Sequence, residues 1–331
     1  MPRSLPDWIV VLWFGLATTT AFGQVGDVGG VHDPCIAREG KTHYVFSTHG
    51  GIHVRRSEDL KQWRHDGQVF EELPAWTREA VPGVRDLWAP DICRIDGEWR
   101  LYYSVSTFGR NRSAIGLATN RTLDRSSPDY RWDDRGVVVT STPGRDDFNA
   151  IDPHVVLDAE GVPWLSFGSY WDGIKLCRLE RKTGKRADDV LHAIASRNGG
   201  AVEAPFIHRH AGDYYLFVSF DKCCDGVRST YNIRVGRSYR VTGPYKDRED
   251  RPMADGGGTL VLEGRGRYRG PGHNAVLQDE NRTWLVHHFY DAEARGKPTL
   301  QIRSLTWDAA GWPIVGEPIV TDENLRPKPA R

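Results

Sequence analysis

The chain has 331 residues, with 44 Lys and Arg against 44 Asp and Glu, so its formal net charge is zero. That length supports a large core, and neutrality argues against a general nucleic-acid binder, whose affinity rests on many Lys and Arg contacts to phosphate. The 35 Gly beside 12 Trp, 12 Tyr and 11 Phe, without long Ala/Leu/Glu/Lys stretches at helical spacing, disfavour bundles and coiled coils and point to short strands and turns.

In chain order, the first element predicted is a secretory signal peptide over residues 1–23. Arg3 lies near the amino terminus, an apolar run follows from Trp8 to Ala17, and Ala21-Phe22-Gly23 offers small residues where a signal peptidase reads, so cleavage is expected before Gln24. The run is too short for a comfortable membrane span, and no later segment reaches the roughly 18 apolar residues that a spanning helix needs. Residues 24–331 are therefore expected to form one exported domain, secreted or periplasmic, free of the membrane and monomeric.

Five cysteines remain after cleavage: Cys35, Cys93, Cys177, Cys223 and Cys224. Their spacing lacks a zinc pattern, and they read as small buried apolar side chains. The adjacent Cys223 and Cys224 could oxidise in an exported protein, but the specific geometry of a disulfide weighs against it.

One phrase then recurs five times. A short apolar strand enters after a Pro or polar residue, at His32-Asp33-Pro34-Cys35-Ile36, Trp88-Ala89-Pro90-Asp91-Ile92, Ile151-Asp152-Pro153-His154-Val155, Glu203-Ala204-Pro205-Phe206-Ile207 and Gly272-His273-Asn274-Ala275-Val276. From the last residue of one phrase to that of the next the steps are 56, 63, 52 and 69 residues. A turn follows each, as at Asp96-Gly97 and Glu160-Gly161, then an aromatic strand such as Trp99-Arg100-Leu101-Tyr102, then an alternating strand such as Ile174-Lys175-Leu176-Cys177. Repeats of this size, with three or four antiparallel strands each, predict an all-β fold, a five-bladed β-propeller. A β-sandwich would not explain the fivefold recurrence.

In a propeller the first strand of each blade lines the central channel. Register then places Asp33, Ala89, Asp152, Ala204 and His273 at equivalent positions around one cavity, with Glu203 one residue before Ala204. A single Asp before Pro more often just starts a strand or turn. Three carboxylates crowded near one axis are electrostatically costly, and that cost points to chemistry. Glycosidic bond hydrolysis uses two carboxyl groups, one protonated to assist the leaving oxygen and one ionised. On this reading Glu203 is the acid, its proton retained by burial and by neighbouring charge, Asp33 across the channel is the base that activates water, and Asp152 tunes and orients the acid. Trp88, Phe108, Tyr170 and Trp171 are candidate sugar platforms, with Asn149 and Ser169 as further substrate contacts. Trp99, Trp164 and Trp284, within strands, are expected to pack between blades, and Arg265, Arg267 and Arg269 to lie in a solvated loop before His273.

The phrases His32-Asp33-Pro34, Trp88-Ala89-Pro90-Asp91-Ile92, Asn149-Ala150-Ile151-Asp152-Pro153, Val202-Glu203-Ala204-Pro205 and Gly272-His273-Asn274 resemble those of family 43 glycoside hydrolases, and within that family most resemble the arabinan endo-1,5-α-L-arabinosidases. Longer stretches carry the same likeness, among them Tyr103 to Gly109, Ser113 to Ala118, and Phe217 to Phe220 running into Cys223-Cys224 and Ser229-Thr230-Tyr231-Asn232-Ile233. The resemblance spans residues 31–315. It implies a five-bladed propeller and an inverting mechanism on arabinan or arabino-oligosaccharide, with Asp33 as base, Asp152 as pKa modulator and Glu203 as acid. It also implies one calcium ion on the channel axis, with His273 its only protein ligand and water completing the shell; a lone His would not by itself suggest this. His154 after Asp152-Pro153 and Asp172 after Tyr170-Trp171 depart from the family pattern and are expected near the pocket. The alternatives are an exo-acting α-L-arabinofuranosidase or β-xylosidase on the same scaffold, and a noncatalytic carbohydrate-binding propeller.

Overall fold

A computed structural model describes residues 24–319; the signal-peptide expectation for residues 1–23 lies outside the described residues. Five antiparallel sheets are built from five successive segments, each strand pairing with the next in sequence. Their first strands are Cys35–Glu39, Leu87–Ile95, His154–Leu157, Val202–His210 and Tyr268–Asp279, and each lies against the first strands of the sheets on either side, closing a ring. This is the five-bladed propeller expected from the repeat. The aromatic second strands pair with the first in the predicted register, as in Ile36 opposite Val45 and Ile92 opposite Leu101.

The core is divided accordingly. Five clusters of buried apolar side chains each join two adjacent blades: Phe46 and Val54 with Leu101 and Val105, Leu117 and Val139 with Phe167 and Cys177, Leu176 and Ile194 with Leu216 and Val218, Phe217 and Val235 with Leu285 and Leu305, and Val45 and Trp63 with Val286 and Ile302. Sheets that face one another through apolar side chains on both faces need strands that are apolar throughout, which is why the second strands are buried almost end to end. Trp99 and Trp284 are buried in these interfaces and Trp164 is packed against one, as expected.

Among the described residues no strand is exchanged between the first and last blades, because each sheet is continuous in sequence. The short strand Val25–Gly26 instead adds in parallel to the outer strand Gln62–Gln68 of its own blade. The ring closes through a few main-chain bonds, Gly30 N–H to Pro298 O (2.7 Å) and Leu300 N–H to Val28 O (2.9 Å), through Gln24 side-chain bonds to Ile302 and Ile319, through Asp279 pairing with Arg38 and His43, and through the shared apolar cluster.

Two expectations change here. The sulfurs of Cys223 and Cys224 are joined as a vicinal disulfide, because both residues belong to a tight loop, with Cys224 at positive φ, that faces the central cleft. The Arg265–Arg269 segment is not simply solvated: Arg267 is bound by Asp291 at 2.6 and 2.8 Å and by Glu293 at 3.2 Å, and Arg269 lies within a strand.

Candidate active site

The five equivalent positions converge as predicted, and they share an unusual backbone. Asp33, Ala89, Asp152, Ala204 and His273 all have positive φ, between 40° and 57°, although none is glycine. That left-handed conformation is uncommon for such residues and persists only where the surroundings impose it. A donor-acceptor ring imposes it here. The amide of each position is bound by a side chain of the preceding blade: Ala89 N–H to Thr48 Oγ1 (2.7 Å), Asp152 N–H to Ser104 Oγ (2.9 Å), Ala204 N–H to Asp152 Oδ2 (3.1 Å), His273 N–H to Ser219 Oγ (2.8 Å) and Asp33 N–H to His288 Nδ1 (3.1 Å). The first strands break register at this level in three blades, which turns side chains into the cavity.

Asp33, Asp152, Glu203 and His273 are buried and line one cleft of about 1080 Å³. Asp33 accepts a hydrogen bond from Thr48 Oγ1 at 2.6 Å and faces His32 Nδ1 at 2.8 Å and His273 Nδ1 at 3.2 Å. Burial works to raise its carboxyl, but the two imidazoles outweigh it and hold Asp33 well below the usual carboxylate range. Glu203 accepts from Ser169 Oγ at 2.6 Å and from Tyr231 Oη at 2.8 Å. Burial outweighs those two donors, so the Glu203 carboxyl is pushed up, with the Asp33 charge adding to the effect. Asp152 is pushed up to about 8 by burial and by the charges of Glu203 and Asp33, against His273. The raised Glu203 thus rests chiefly on burial rather than on a charged Asp152, which is itself held toward its neutral form. His273 is pushed up to about 9, because Asp33 and the other carboxylates overcome its burial.

The predicted substrate contacts Trp88, Phe108, Asn149, Ser169 and Tyr170 all line this cleft, as does Trp171. Phe108 is 82% exposed and stands at the rim. Asn149 Oδ1 accepts from Ser113 Oγ at 2.6 Å, and Ser113 is bridged to Ser106 at 2.8 Å, so the Asn149 amide NH₂ is left for the cleft. The Ser169 hydroxyl is committed to Glu203. His154 and Asp172 are not among the lining residues: His154 is buried between Asp91 and Ile207 O and stacked on Phe206 at 3.8 Å, and Asp172 binds Lys175 at 2.5 Å.

Several functional side chains escaped the sequence reading: His32, Thr48, Tyr231, His288, Tyr290 and the paired cysteines, all in or bound to this site. A signal existed for Thr48, Ser104 and Ser219, hydroxyl residues that each close an aromatic second strand.

For a cation, His273 has Nδ1 engaged by Asp33, which leaves Nε2 as its ligand atom once that nitrogen gives up its proton to solvent on binding. That donor set fits an ion that keeps most of its water, since calcium prefers six to eight oxygens. Among the described residues His32, Asp33 and His288 also bring three ligand atoms within 4.8 Å of one another. Their atoms are already spent on one another, with His288 Nδ1 accepting the Asp33 amide, so that group is a hydrogen-bonded set.

The chain matches the profile of glycosyl hydrolases family 43 over residues 28–313. It is 45% identical over 300 residues to the extracellular exo-α-(1→5)-L-arabinofuranosidase of Cellvibrio japonicus, covering 87% of this chain and 86% of that protein. It is 44% identical over 290 residues to the extracellular endo-α-(1→5)-L-arabinanase 1 of Bacillus subtilis, covering 86% and 87%. The solved structure of Cellvibrio cellulosa α-L-arabinanase complexed with arabinohexaose superposes with a TM-score of 0.85 at 44% identity, covering 87% of this chain and 96% of that one.

Proposed function

The chain belongs to glycosyl hydrolase family 43, and from that premise we propose that it hydrolyses α-1,5-L-arabinofuranosidic bonds within arabinan, with inversion of configuration. The observation that carries the reading is the pairing of opposite carboxyl environments in one cleft: Asp33 held ionised by two imidazoles, Glu203 held toward its protonated form by burial. The relatives named as arabinanases support the substrate, and the cleft volume, at the upper end for small-molecule pockets, suits several sugar units.

In a single displacement, Asp33 accepts a proton from water as the water oxygen bonds to the anomeric carbon. The bond from that carbon to the bridging oxygen breaks with its electron pair, and Glu203 delivers its proton to the departing oxygen. Thr48, His32 and His273 fix the Asp33 carboxylate, and Ser169 and Tyr231 fix Glu203 by both oxygens. Asp152 anchors the Glu203 strand through the Ala204 amide. Trp88, Phe108 and Tyr170 offer flat faces to sugar rings, and Asn149 offers amide donors. His273 Nε2 would hold the calcium ion, with water as its other ligands; when bound, the ion supplies a fixed positive charge beside the carboxylates. Export and monomeric action complete the reading, and the extracellular relatives support the former.

Linear arabinan tests it. Oligosaccharides of mixed size should appear early, with the inverted anomer as first product by NMR. Release of monomer alone from chain ends would assign exo action, the mode in the name of the Cellvibrio japonicus relative. Glu203→Ala should lower turnover by about 10²–10⁴ with binding retained; wild-type turnover in that variant would leave a noncatalytic sugar-binding role.

A further inference from the structure

We infer that His32 and Tyr290 form a positioning relay that presents a fixed N–H to the base Asp33, with its outer end clamped by the main chain of the Cys223–Cys224 loop. The inference rests on the glycosidase reading for its kinetic consequences but not for its geometry. The Cys224 amide donates to Tyr290 Oη at 2.7 Å, Tyr290 Oη meets His32 Nε2 at 2.8 Å, and His32 Nδ1 meets Asp33 Oδ2 at 2.8 Å.

The direction of the protons follows from the two ends. The Cys224 N–H takes one acceptor site of the Tyr290 oxygen, and at the other end the Asp33 carboxylate, which can only accept, favours the proton on His32 Nδ1, so the phenolic proton points to Nε2. With Nε2 accepting, the neutral imidazole carries its proton on Nδ1, where Asp33 Oδ2 receives it. Without the hydroxyl, the ring loses one of the two partners that fix its tautomer, and the other tautomer would turn a lone pair toward a carboxylate oxygen. The ring is held in its plane. It is stacked on His288 at 4.1 Å with 23° between planes, and His288 is itself fixed by accepting the Asp33 amide. Tyr290 also lines the cleft beside Cys223 and Cys224, but its oxygen is committed to the relay. Neither residue touches the reacting atoms in this scheme; both act through Asp33.

Tyr290→Phe, which keeps the ring, should lower kcat on arabino-oligosaccharide by about tenfold or more, with KM within about twofold. In His32→Asn an amide nitrogen can replace Nδ1 as a donor that has no tautomer to choose, so adding Tyr290→Phe to that variant should change kcat by less than about twofold. Multiplicative effects in the double variant, or unchanged kcat in Tyr290→Phe, would overturn the relay. A readout independent of activity is the nitrogen NMR of ring-labelled histidine, with the His32 signal assigned by its loss in His32→Asn. Wild type should show a protonated Nδ1 and an unprotonated Nε2, and Tyr290→Phe a mixture. A neutral His32 protonated on Nε2 in wild type refutes the inference, whereas the expected tautomer in a protein that fails to cut arabinan refutes only the glycosidase reading.

Discussion

Positive φ at a residue with a side chain costs of order 1–3 kcal/mol, and this molecule holds five such residues at one level of its channel, each tied by its amide to the neighbouring blade. Three of them, Asp33, Asp152 and His273, carry titrating side chains and Glu203 adjoins a fourth, and the protonation of these groups makes specific predictions. As the proposed acid, Glu203 must act protonated, and its raised pKa means that the alkaline limb of kcat/KM should lie above the ordinary carboxylate range. As the proposed base, Asp33 must act ionised, and its depressed pKa means that the acid limb should lie below the ordinary carboxylate range. Ser169→Ala or Tyr231→Phe removes a donor that favours the Glu203 carboxylate, so the alkaline limb of the pH–rate profile should move to higher pH in either variant. A limb unmoved by both would show that Glu203 does not set it.

At the scale of strands and loops, the close packing of Tyr231 on Gly272 makes a sharp case. A Cβ at Gly272 would lie 1.9 Å from the Tyr231 ring, and that ring carries the hydroxyl bound to Glu203. Gly272→Ala should therefore destabilise by about 1–3 kcal/mol in denaturant unfolding and lower kcat as Tyr231 is displaced. The repeat made this scale largely legible from sequence. The entry phrases around Asp33, Asp152 and Glu203 recur at the start of each blade, so aligning them was enough to bring the three acids together. Partners outside the phrase were not legible. Tyr231 reaches the site from the loop before the third strand of the fourth blade and Tyr290 from the second strand of the fifth, and their meeting with Glu203 and His32 depends on how far apart blades stand at the channel. The same holds for His154, placed near the pocket by its neighbours in sequence but pointed between blades toward Asp91. Cys223 and Cys224 failed for another reason, since composition says nothing about the loop conformation that brings their sulfurs together.

For the molecule as a whole, the buried charges couple stability to pH. Asp152 in the folded state keeps its proton up to about 8 instead of 3.8, so the native state binds the extra proton in that window and stability falls as pH rises across it. In the metal-free protein His273, raised from 6.5 to about 9, contributes stability that is complete below 6.5 and lost as pH rises to about 9. The thermal midpoint should therefore decline between pH 6.5 and 9, and Asp152→Asn should decline less and exceed wild type at pH 9 by calorimetry. If calcium binds at His273 as proposed, chelation should lower the midpoint and restored calcium recover it, an effect absent in His273→Ala. The junction between the first and last blades adds a consequence of its own. Asp33 hangs from one side of it and His273 and His288 from the other, so the base is assembled only while that joint is shut. Because few main-chain bonds latch it, a partial parting there should silence the enzyme while the strand pairing within each blade stays intact. On slow heating, turnover should vanish ahead of the far-ultraviolet signal, with deuterium entering first at the amides of Gly30 and Leu300.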